Sequence, residues 1–274
     1  MSAKEKTDEI MLPKYDFVFK WLFGDEKSDV ILISFLEAVL EKDIKSVKLK
    51  NPTKLKQNED DKLTILDIKA QLENGEIIDI EMQARNIPEL RSRITYYSAG
   101  MITEQLEKSE KYSDLKPSIT IMIVAETLIL ESDKCHNVFC MSEKDEHFPF
   151  NDLQEIHILD LSRIENGVSE KLSNWLKFIN SEKKEDFMAV AKKDKAIGMA
   201  FDKLQVMSVN KHRREIYEAQ LKQKRDYWSI QDGLKRQERE LGIQEGMQQG
   251  MQQLLELWEK GVSLSEAKKM VYAR

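Results

Sequence analysis

The sequence predicts an α/β fold in which a mixed β-sheet is covered by helices on both faces. The apolar patterns occur in the order helix, three strands, helix, strand, which is typical of that architecture. The chain has 274 residues, 41% of them apolar, which is enough for one sizeable domain with an appendage or for two small domains. After about residue 165 the composition becomes strongly charged. We therefore expect a domain over residues 1–165 and a helical, charged region over residues 166–274.

The first elements are two helices and a strand. The segment YDFVFKWLFGDEKSDVILISFLEAVL contains both helices, and Ser28 is a candidate N-cap for the second. The segment IKSVKLK then predicts a strand, which Pro52 interrupts. The second helix has an apolar stripe at helical spacing, formed by Leu32, Phe35, Leu36 and Val39.

The stretch ILDIKAQLENGEIIDIEMQAR, residues 65–85, predicts two antiparallel strands with acidic side chains on one face. Strand alternation gives each strand one apolar face and one mixed, polar face. A two-residue turn would mix the two faces, whereas a three-residue loop over residues 73–75, with glycine in the left-handed position, keeps both consistent. In that register Ile68 faces Ile80, Ala70 faces Ile78, Lys69 faces Asp79, and Asp67 faces Glu81.

The pairing of Asp67 with Glu81 places two carboxylates directly across a strand pair. Their Cβ atoms would lie roughly 5 Å apart, so the two charges would repel each other. A divalent cation such as Mg²⁺ between them is one explanation, because hard cations take carboxylate oxygens. An exposed sheet face that tolerates acids is the other, and the strand pattern does not decide between them.

A helix follows from about Pro88 to about Lys108, since proline suits a first helical turn. Arg93 and Tyr96 lie on its polar side. Its apolar stripe consists of Leu90, Ile94, Tyr97 and Met101, and we therefore expect the Tyr97 ring in the core.

Three further strands and a helical tail complete the chain. PSITIMIVAE predicts a buried strand, NVFCM and EIHILDL predict two more, and helix dominates from Ser169 onward. Residues 210–240 are mostly charged or amide-bearing, which predicts a long exposed helix. The glycines at 242, 246 and 250 share one helical face, and either a flexible solvated helix or a helix-pairing seam explains them.

The charge of the chain limits how it can contact nucleic acid. A formal net charge of −6 argues against indiscriminate binding, so a DNA contact needs a local basic patch. The best candidate patch contains Lys48 and Lys50, and simple solubility is the alternative explanation. Its six lysines are at positions 42, 45, 48, 50, 54 and 56.

The sequence also bears on location and on metal binding through cysteine. The longest apolar run, ITIMIVAETLIL, is too short to span a bilayer, and we expect a cytoplasmic protein. Cys135 and Cys140 are then expected to be free thiols. One C-x4-C pair is weak evidence for zinc, even with His136 and His147 nearby.

Several stretches of the chain resemble the Rpn-type recombination-promoting nucleases, also described as PD-(D/E)XK nuclease family transposases. They are DFVFKWLFGDEKSDVILISFLEAVL, LDIKAQLENGEIIDIEMQ, SRITYYSAGMITEQL and YSDLKPSITIMI, which cover most of residues 15–125 in the family's order. The combination of IEMQ with YYSAGMITEQL is the most specific part. The resemblance implies a restriction-endonuclease-like, three-layer α/β/α core for the domain over residues 1–165.

The resemblance also implies a catalytic site. Asp67 would be the lone acid, and Glu81-x-Gln83 would be the (D/E)xK element. Asp67, Glu81 and the carbonyl of Met82 would then hold Mg²⁺ or Mn²⁺. Gln83 stands where the broad superfamily has lysine; it cannot carry a positive charge or accept a proton, so it would orient water while activation depends more on the metal.

Other residues are candidates for supporting roles. Many nucleases of this superfamily carry an acid on the first core helix, and Glu37 is the residue available here. Glu37 also shares a polar stripe with Ser34 and Glu41, so an ordinary solvated helix face is the alternative explanation. Arg93 could bind a phosphate or form a salt bridge to one of the strand carboxylates, Asp79 or Glu81. The candidate substrate-binding residues are Lys48, Lys50, Arg93 and Tyr96.

We therefore expect a cytoplasmic, metal-dependent DNA endonuclease that hydrolyses phosphodiester bonds and is linked to recombination or mobile elements. The alternative is a catalytically inactive nuclease-fold protein that acts as a protein-interaction module through its helical tail. Homo-oligomers through the C-terminal helices are compatible with both. The presence of Asp67, Glu81 and Gln83 together favours the enzyme.

Overall fold

A computed structural model describes residues 9–50, 68–85, 87–107, 109–263 and 266 of the chain. The strands are β1 (Val47–Leu49), β2 (Ile68–Leu72), β3 (Ile77–Gln83), β4 (Ser118–Val124), β5 (His136–Cys140) and β6 (Gln154–Asp160). The α-helices are α1 (Asp16–Phe23), α2 (Asp29–Leu40), α3 (Leu90–Thr103), α4 (Glu170–Asn180), α5 (Lys184–Ala191), α6 (Lys195–Val209) and α7 (Lys211–Glu259).

The strands form one mixed sheet in the order β1-β2-β3-β4-β6-β5. The first three strands pair antiparallel, β3 and β4 and then β4 and β6 pair parallel, and β5 pairs antiparallel with β6. Helices lie against both faces, because α1 and α2 contact β3 and β1 whereas α3 packs on β4 and β6. The predicted α/β class with a mixed sheet between helices is confirmed.

The register of the β2–β3 hairpin also agrees with the prediction. The amide of Leu72 donates to the carbonyl of Glu76 at 2.9 Å, and Gly75 between them has a φ of +91°, which glycine adopts without a steric penalty. Asp67 lies outside the described residues, so its pairing with Glu81 stays a prediction. The described partners are Ile68 with Ile80, Lys69 with Asp79, Ala70 with Ile78, and Gln71 with Ile77.

The two faces of the sheet differ in chemistry. One is apolar and fully buried under the N-terminal helices, and its residues include Ile68, Ala70, Ile78, Ile80, Ile119, Ile121 and Ile123. On the other face, β4 and β6 are apolar and are covered by α3. The cluster there consists of Leu90, Ile94, Met122, Val124 and Ile158. The β1–β3 half of that second face carries polar side chains, which leaves it as the place for a polar site.

Helices α4 to α6 belong to the core, which the sequence did not predict. The Trp175 ring is fully buried, and its centroid lies 5.6 Å from that of Phe23 and 5.9 Å from that of Phe35. These helices belong to the region predicted as helical and charged, and α4 and α6 pack on α2 and bury their apolar sides.

The chain divides into two compact units, Met1–Arg214 and Glu215–Arg274. The expected domain boundary between residues 165 and 166 falls inside the first unit. Helix α7 is 49 residues long, which agrees with the long helix predicted for the charged tail. Within the described residues, no helix combines the length and the apolarity needed to cross a membrane.

Candidate active site

Strand β3 presents three polar side chains at alternate positions. Asp79 is buried, and Glu81 and Gln83 are half-buried. Alternation directs all three to the face on which α3 packs. Their partners in β4 are Thr120, Met122 and Val124. The structure thus brings two of the predicted catalytic residues, Glu81 and Gln83, side by side on a central strand.

The side chain of Gln83 is fixed by a local hydrogen bond. Its Nε2 donates to the carbonyl of Arg85 at 2.7 Å. This bond fixes the orientation of the amide, and its oxygen Oε1 can accept a hydrogen bond from water. This geometry suits orienting a water molecule, and glutamine chemistry excludes taking its proton.

The carbonyl of Met82 points toward β2. The main-chain carbonyl of Gln83 accepts a hydrogen bond from the amide of Ala125 at 3.0 Å, and the amide of Ile77 donates to the carbonyl of Pro117 at 2.9 Å. The main-chain groups of the odd-numbered residues of β3 therefore bond on the β4 side. Successive residues of a strand direct their main-chain groups to opposite neighbours. The Met82 carbonyl consequently lies on the β2 side, and together with the Glu81 carboxylate it offers the oxygen ligands that Mg²⁺ prefers.

Three lysines line the same face beside the carboxylates. Lys48 pairs with Gln71, and the amide of Lys50 donates to the carbonyl of Lys69 at 2.8 Å. Lys69 is opposite Asp79. Residues directly opposite in a ladder share a face, so the candidate substrate-binding residues Lys48 and Lys50 lie on the face of Glu81. Two other lysines of the predicted patch, Lys54 and Lys56, lie outside the described residues.

Lys69 is a substrate-binding candidate that the sequence analysis did not name. The predicted register already placed it opposite Asp79 on the polar face, and the structure confirms that placement. A count of cations on each face, rather than along the chain, would have identified it.

Helix α3 packs mainly on the β4–β6 part of this face. Ser98 Oγ accepts a hydrogen bond from Gln154 Nε2 at 3.1 Å, and Arg91 binds the Glu131 carboxylate through two bonds of 2.7 and 2.9 Å. These contacts mark the flank of α3 that faces β6. At about 100° per residue, Arg93 and Tyr97 fall on the opposite flank, toward β3.

The expectation that Tyr97 lies in the core is wrong. The ring is 40% exposed, and Ser98 takes its place in a buried stripe that consists of Leu90, Ile94, Ser98 and Met101. Burial of Ser98 is favoured because its hydroxyl has a partner in Gln154. Tyr97 lies at the border of the helix, where the Arg93 guanidinium carbon is 5.8 Å from the ring centroid.

The sequence predicted that Arg93 and Tyr96 share the polar side of α3, and in the structure Arg93 is half-buried and Tyr96 is exposed. Across the described residues, Arg93 forms no ion pair with a carboxylate, so neither alternative salt bridge, to Asp79 or to Glu81, is present. Tyr96 is 75% exposed. Arg93 therefore lies at the border of the polar half of the sheet, and Tyr96 is accessible on the outer side of α3.

Glu37 is not brought to this site. It belongs to α2, which lies on the opposite face of the sheet. Its Oε2 is 2.8 Å from Nζ of Lys171, and its Oε1 accepts a hydrogen bond from the amide of Ile44 at 3.3 Å. The hydrogen bond from Lys171 holds the pKa of Glu37 below its usual value. These contacts give Glu37 a structural role in joining α4 to the end of α2.

The described part of the chain has no group of three or more His, Cys, Asp or Glu residues placed to hold a metal ion. That statement does not extend to the predicted pair of Asp67 and Glu81, because Asp67 lies outside the described residues. Cys135 and Cys140 are free thiols, as predicted. Burial raises the pKa of Cys135 to about 11, and its Sγ donates to the carbonyl of Asp160.

Comparison with known proteins adds one finding to this geometry. A family model described as PD-(D/E)XK nuclease family transposase matches residues 13–233, which include every strand of the described sheet and the predicted catalytic residues Asp67, Glu81 and Gln83. No curated protein and no solved structure matches the chain. Because the family model covers well over half of the sequence, the chain belongs to the PD-(D/E)XK nuclease family transposases.

Proposed function

We propose that this protein is a metal-dependent DNA endonuclease that hydrolyses phosphodiester bonds. The observation that carries the proposal is the position of Glu81 and Gln83, both half-buried, on the polar half of the sheet face, beside the part on which α3 packs. Lysines flank them on the β1–β2 side, and Arg93 flanks them on the α3 side. Cations on both sides of the Glu81 carboxylate can pair with the phosphates of a DNA strand and hold its backbone over a metal site.

Asp67, Glu81 and the Met82 carbonyl are the residues that would hold Mg²⁺ or Mn²⁺. Continuing the observed β2–β3 register by one residue supports Asp67 as the partner of Glu81. A bound ion of this kind polarises the scissile phosphate and lowers the pKa of the attacking water. Gln83 accepts a hydrogen bond from that water through Oε1 and keeps it in line, because its amide nitrogen is held by Arg85.

The lysines and Arg93 position the substrate. Lys48 and Lys50 are exposed on β1 and its end, and they neutralise phosphates farther from the scissile bond. Lys69 is closer to the site, since it shares a rung of the ladder with Asp79. Arg93 offers a planar group of donors to a phosphate on the opposite side.

Cleavage of supercoiled plasmid in Mg²⁺, in Mn²⁺ and in EDTA tests the proposal. The wild type should nick and linearise the plasmid with either metal and not in EDTA, and Glu81→Gln should abolish cleavage. Glu185→Gln is the matched control, because Glu185 is exposed on α5. Cleavage that persists in EDTA, or in the Glu81→Gln variant, contradicts the proposed site.

The second candidate is a protein-interaction module that keeps the fold without catalysis. Helix α7 favours it, because apolar side chains such as Leu234, Leu241, Met251 and Trp258 are exposed along its length. Light scattering of the full chain and of a chain that ends at Arg214 tests self-association through the C-terminal helices. A wild type that cleaves nothing with either metal, yet loses its oligomeric mass on truncation, supports this candidate over the nuclease.

A link to recombination or mobile elements, and action in the cytoplasm, also belong to the proposal. The family description supports the first of these. A recombination assay in cells that express the wild type or Glu81→Gln tests the link directly.

A further inference from the structure

We infer that Tyr96 and Tyr97 form a stacking surface for unpaired nucleobases at the edge of the proposed site. This inference rests on the proposed function and names its substrate class: nucleic acid with a single-stranded segment next to the scissile phosphate. The two rings are 75% and 40% exposed, and their centroids lie 5.6 Å apart in an edge-to-face arrangement. We call Arg93, Tyr96 and Tyr97 together the tyrosine surface.

The position of the tyrosine surface along α3 follows from contacts at both ends of the helix. Leu90, at the start of α3, packs in the cluster that contains Val124, at the end of β4. Gln105, just after α3, donates through Nε2 to Ser118 Oγ at 2.9 Å, at the start of β4. The helix therefore runs antiparallel to β4, and its central residue Tyr97 lies at the level of the middle of that strand.

The middle of β4 is also the level of the carboxylates on β3. Thr120 and Met122 are the partners of Asp79 and Glu81 in the parallel ladder. Tyr97 is on the flank of α3 that faces β3, because Ser98 and Arg91 occupy the flank toward β6. The Arg93 and Tyr97 part of the tyrosine surface consequently borders the polar half of the sheet at the height of Glu81, and Tyr96 extends the surface onto the outer side of α3.

The chemistry of this surface selects unpaired bases. An aromatic ring offers a flat apolar face on which any base can stack, and stacking of this kind is characteristic of single-strand binding proteins. A paired base in a duplex is already stacked on its neighbours and has no free face to offer. Arg93 lies 5.8 Å from the Tyr97 ring centroid, so a cation is available for the adjoining phosphate. Lys48 and Lys50 continue this positive charge across the sheet.

Binding measured without cleavage tests the inference independently of the nuclease activity. Fluorescence anisotropy in EDTA should compare a labelled single strand of about 12 nucleotides with the blunt duplex of the same sequence. The wild type should prefer the single strand. Tyr96→Ala and Tyr97→Ala should each weaken single-strand binding by about 5- to 150-fold and leave duplex binding nearly unchanged.

Control variants separate stacking from folding. Tyr96→Phe and Tyr97→Phe keep the ring and should keep the affinity, and Tyr112→Ala should have no effect, because Tyr112 is 86% exposed outside this surface. Circular dichroism should show that every variant is folded.

An RNA of the same sequence distinguishes the two sources of unpaired bases, DNA and RNA. Equal affinity for both strands assigns recognition to the bases alone, and a preference for one strand type adds a sugar contact.

Each outcome is decisive. Equal affinities for single strand and duplex, or alanine variants that bind as the wild type does, overturn the inference while leaving plasmid cleavage to test the nuclease. Tyrosine-dependent binding of single strands by a protein that cleaves nothing with Mg²⁺ or Mn²⁺ supports the stacking surface and counts against the proposed activity instead.

Discussion

Nε2 of His136 and Nδ1 of His157 lie 2.8 Å apart, which joins β5 to β6 through a hydrogen bond between two imidazoles. The other ring nitrogen of His157 is 3.3 Å from Oε2 of Glu155. A bond between two imidazole nitrogens requires that one of them accept, so one ring must be neutral. Burial and, to a lesser degree, the neighbouring His157 lower the pKa of His136 to about 4, while Glu155 acts in the opposite direction.

The histidine pair predicts that the protein loses stability in mild acid. In the unfolded chain His136 takes up a proton near pH 6.5, but in the folded protein it does so only near pH 4. Its contribution is therefore complete above about pH 6.5 and is lost as the pH falls toward 4. Thermal melts between pH 7.5 and 4 should show that the Tm of the wild type declines as the pH falls. The decline should be smaller by several degrees in His136→Asn, which is the order expected for one such group.

The exposed His147 provides the control for this prediction. It has a φ of +61°, a conformation that asparagine tolerates, so His147→Asn should keep the fold and the acid dependence of the wild type. If the Tm of His136→Asn fell with pH as steeply as that of the wild type, protonation of His136 would not be the cause.

The lysine row on β1 predicts how strongly DNA binding depends on salt. Lys48→Ala combined with Lys50→Ala should weaken binding at low salt and reduce the slope of log K against log salt by about 2, because two phosphate contacts release fewer counterions. A salt titration of DNA binding by anisotropy in EDTA measures both quantities. The exposed pair Lys183 and Lys184 at the start of α5 is the matched control, and its double alanine variant should leave the slope unchanged. The same slope in both double variants would assign Lys48 and Lys50 to solubility.

The parts of the fold that were predictable depend on local rules. Alternation and the glycine of a three-residue loop specify the β2–β3 register, and the structure confirms it down to Lys69 opposite Asp79. Spacing along a single helix is a weaker guide, because Tyr97 and Ser98 are adjacent and only the partner strand decides which is buried. The bond from Gln154 to Ser98 decides it here, and residues 56 positions apart leave no local signal.

The packing partner of α4 is a second feature that the sequence does not reveal. Trp175 packs between Phe23 and Phe35, which are more than 100 residues earlier in the chain. The apolar residues of α4 recur at helical spacing, at Leu172, Trp175, Leu176 and Ile179, so the stretch itself indicates a buried face. It carries no signal for which distant helix covers that face. The strand of the candidate site was identified because its acidic residues conflict with a half-buried sheet.

This burial predicts a large difference between two tryptophans. Trp175→Ala should lower the free energy of unfolding by about 3–5 kcal/mol, because it empties a fully packed site and leaves Ser34 without its hydrogen bond from the indole nitrogen. Trp258→Ala, at a position that is 66% exposed, should change it by less than about 0.5 kcal/mol. Urea denaturation followed by circular dichroism measures both. Similar stability of the two variants would mean that α4 does not pack on α2 in solution.

The predicted opposition of Asp67 and Glu81 has a consequence for the metal-free protein. Glu81 is half-buried, and the observed ladder ends one residue short of Asp67. If the ladder continues, the two carboxylates repel each other by on the order of a few kcal/mol at close range and surface-like dielectric, before solvent screening and protonation reduce this. Asp67→Asn should then abolish plasmid cleavage and also raise the Tm of the protein in EDTA, because the amide removes a charge and keeps the volume.

A double-mutant cycle tests whether the two residues act on each other. Asp67→Asn and Glu81→Gln each relieve the same repulsion, so the gain in Tm of the double variant should be clearly smaller than the sum of the single gains. Millimolar Mg²⁺ should stabilise the wild type by mass action and the variants little. The exposed Asp152, changed to Asn, should affect neither quantity. Additive gains, or equal stabilisation of all variants by Mg²⁺, would show that Asp67 and Glu81 do not share a cation, and the metal site would have to be sought among other oxygen ligands.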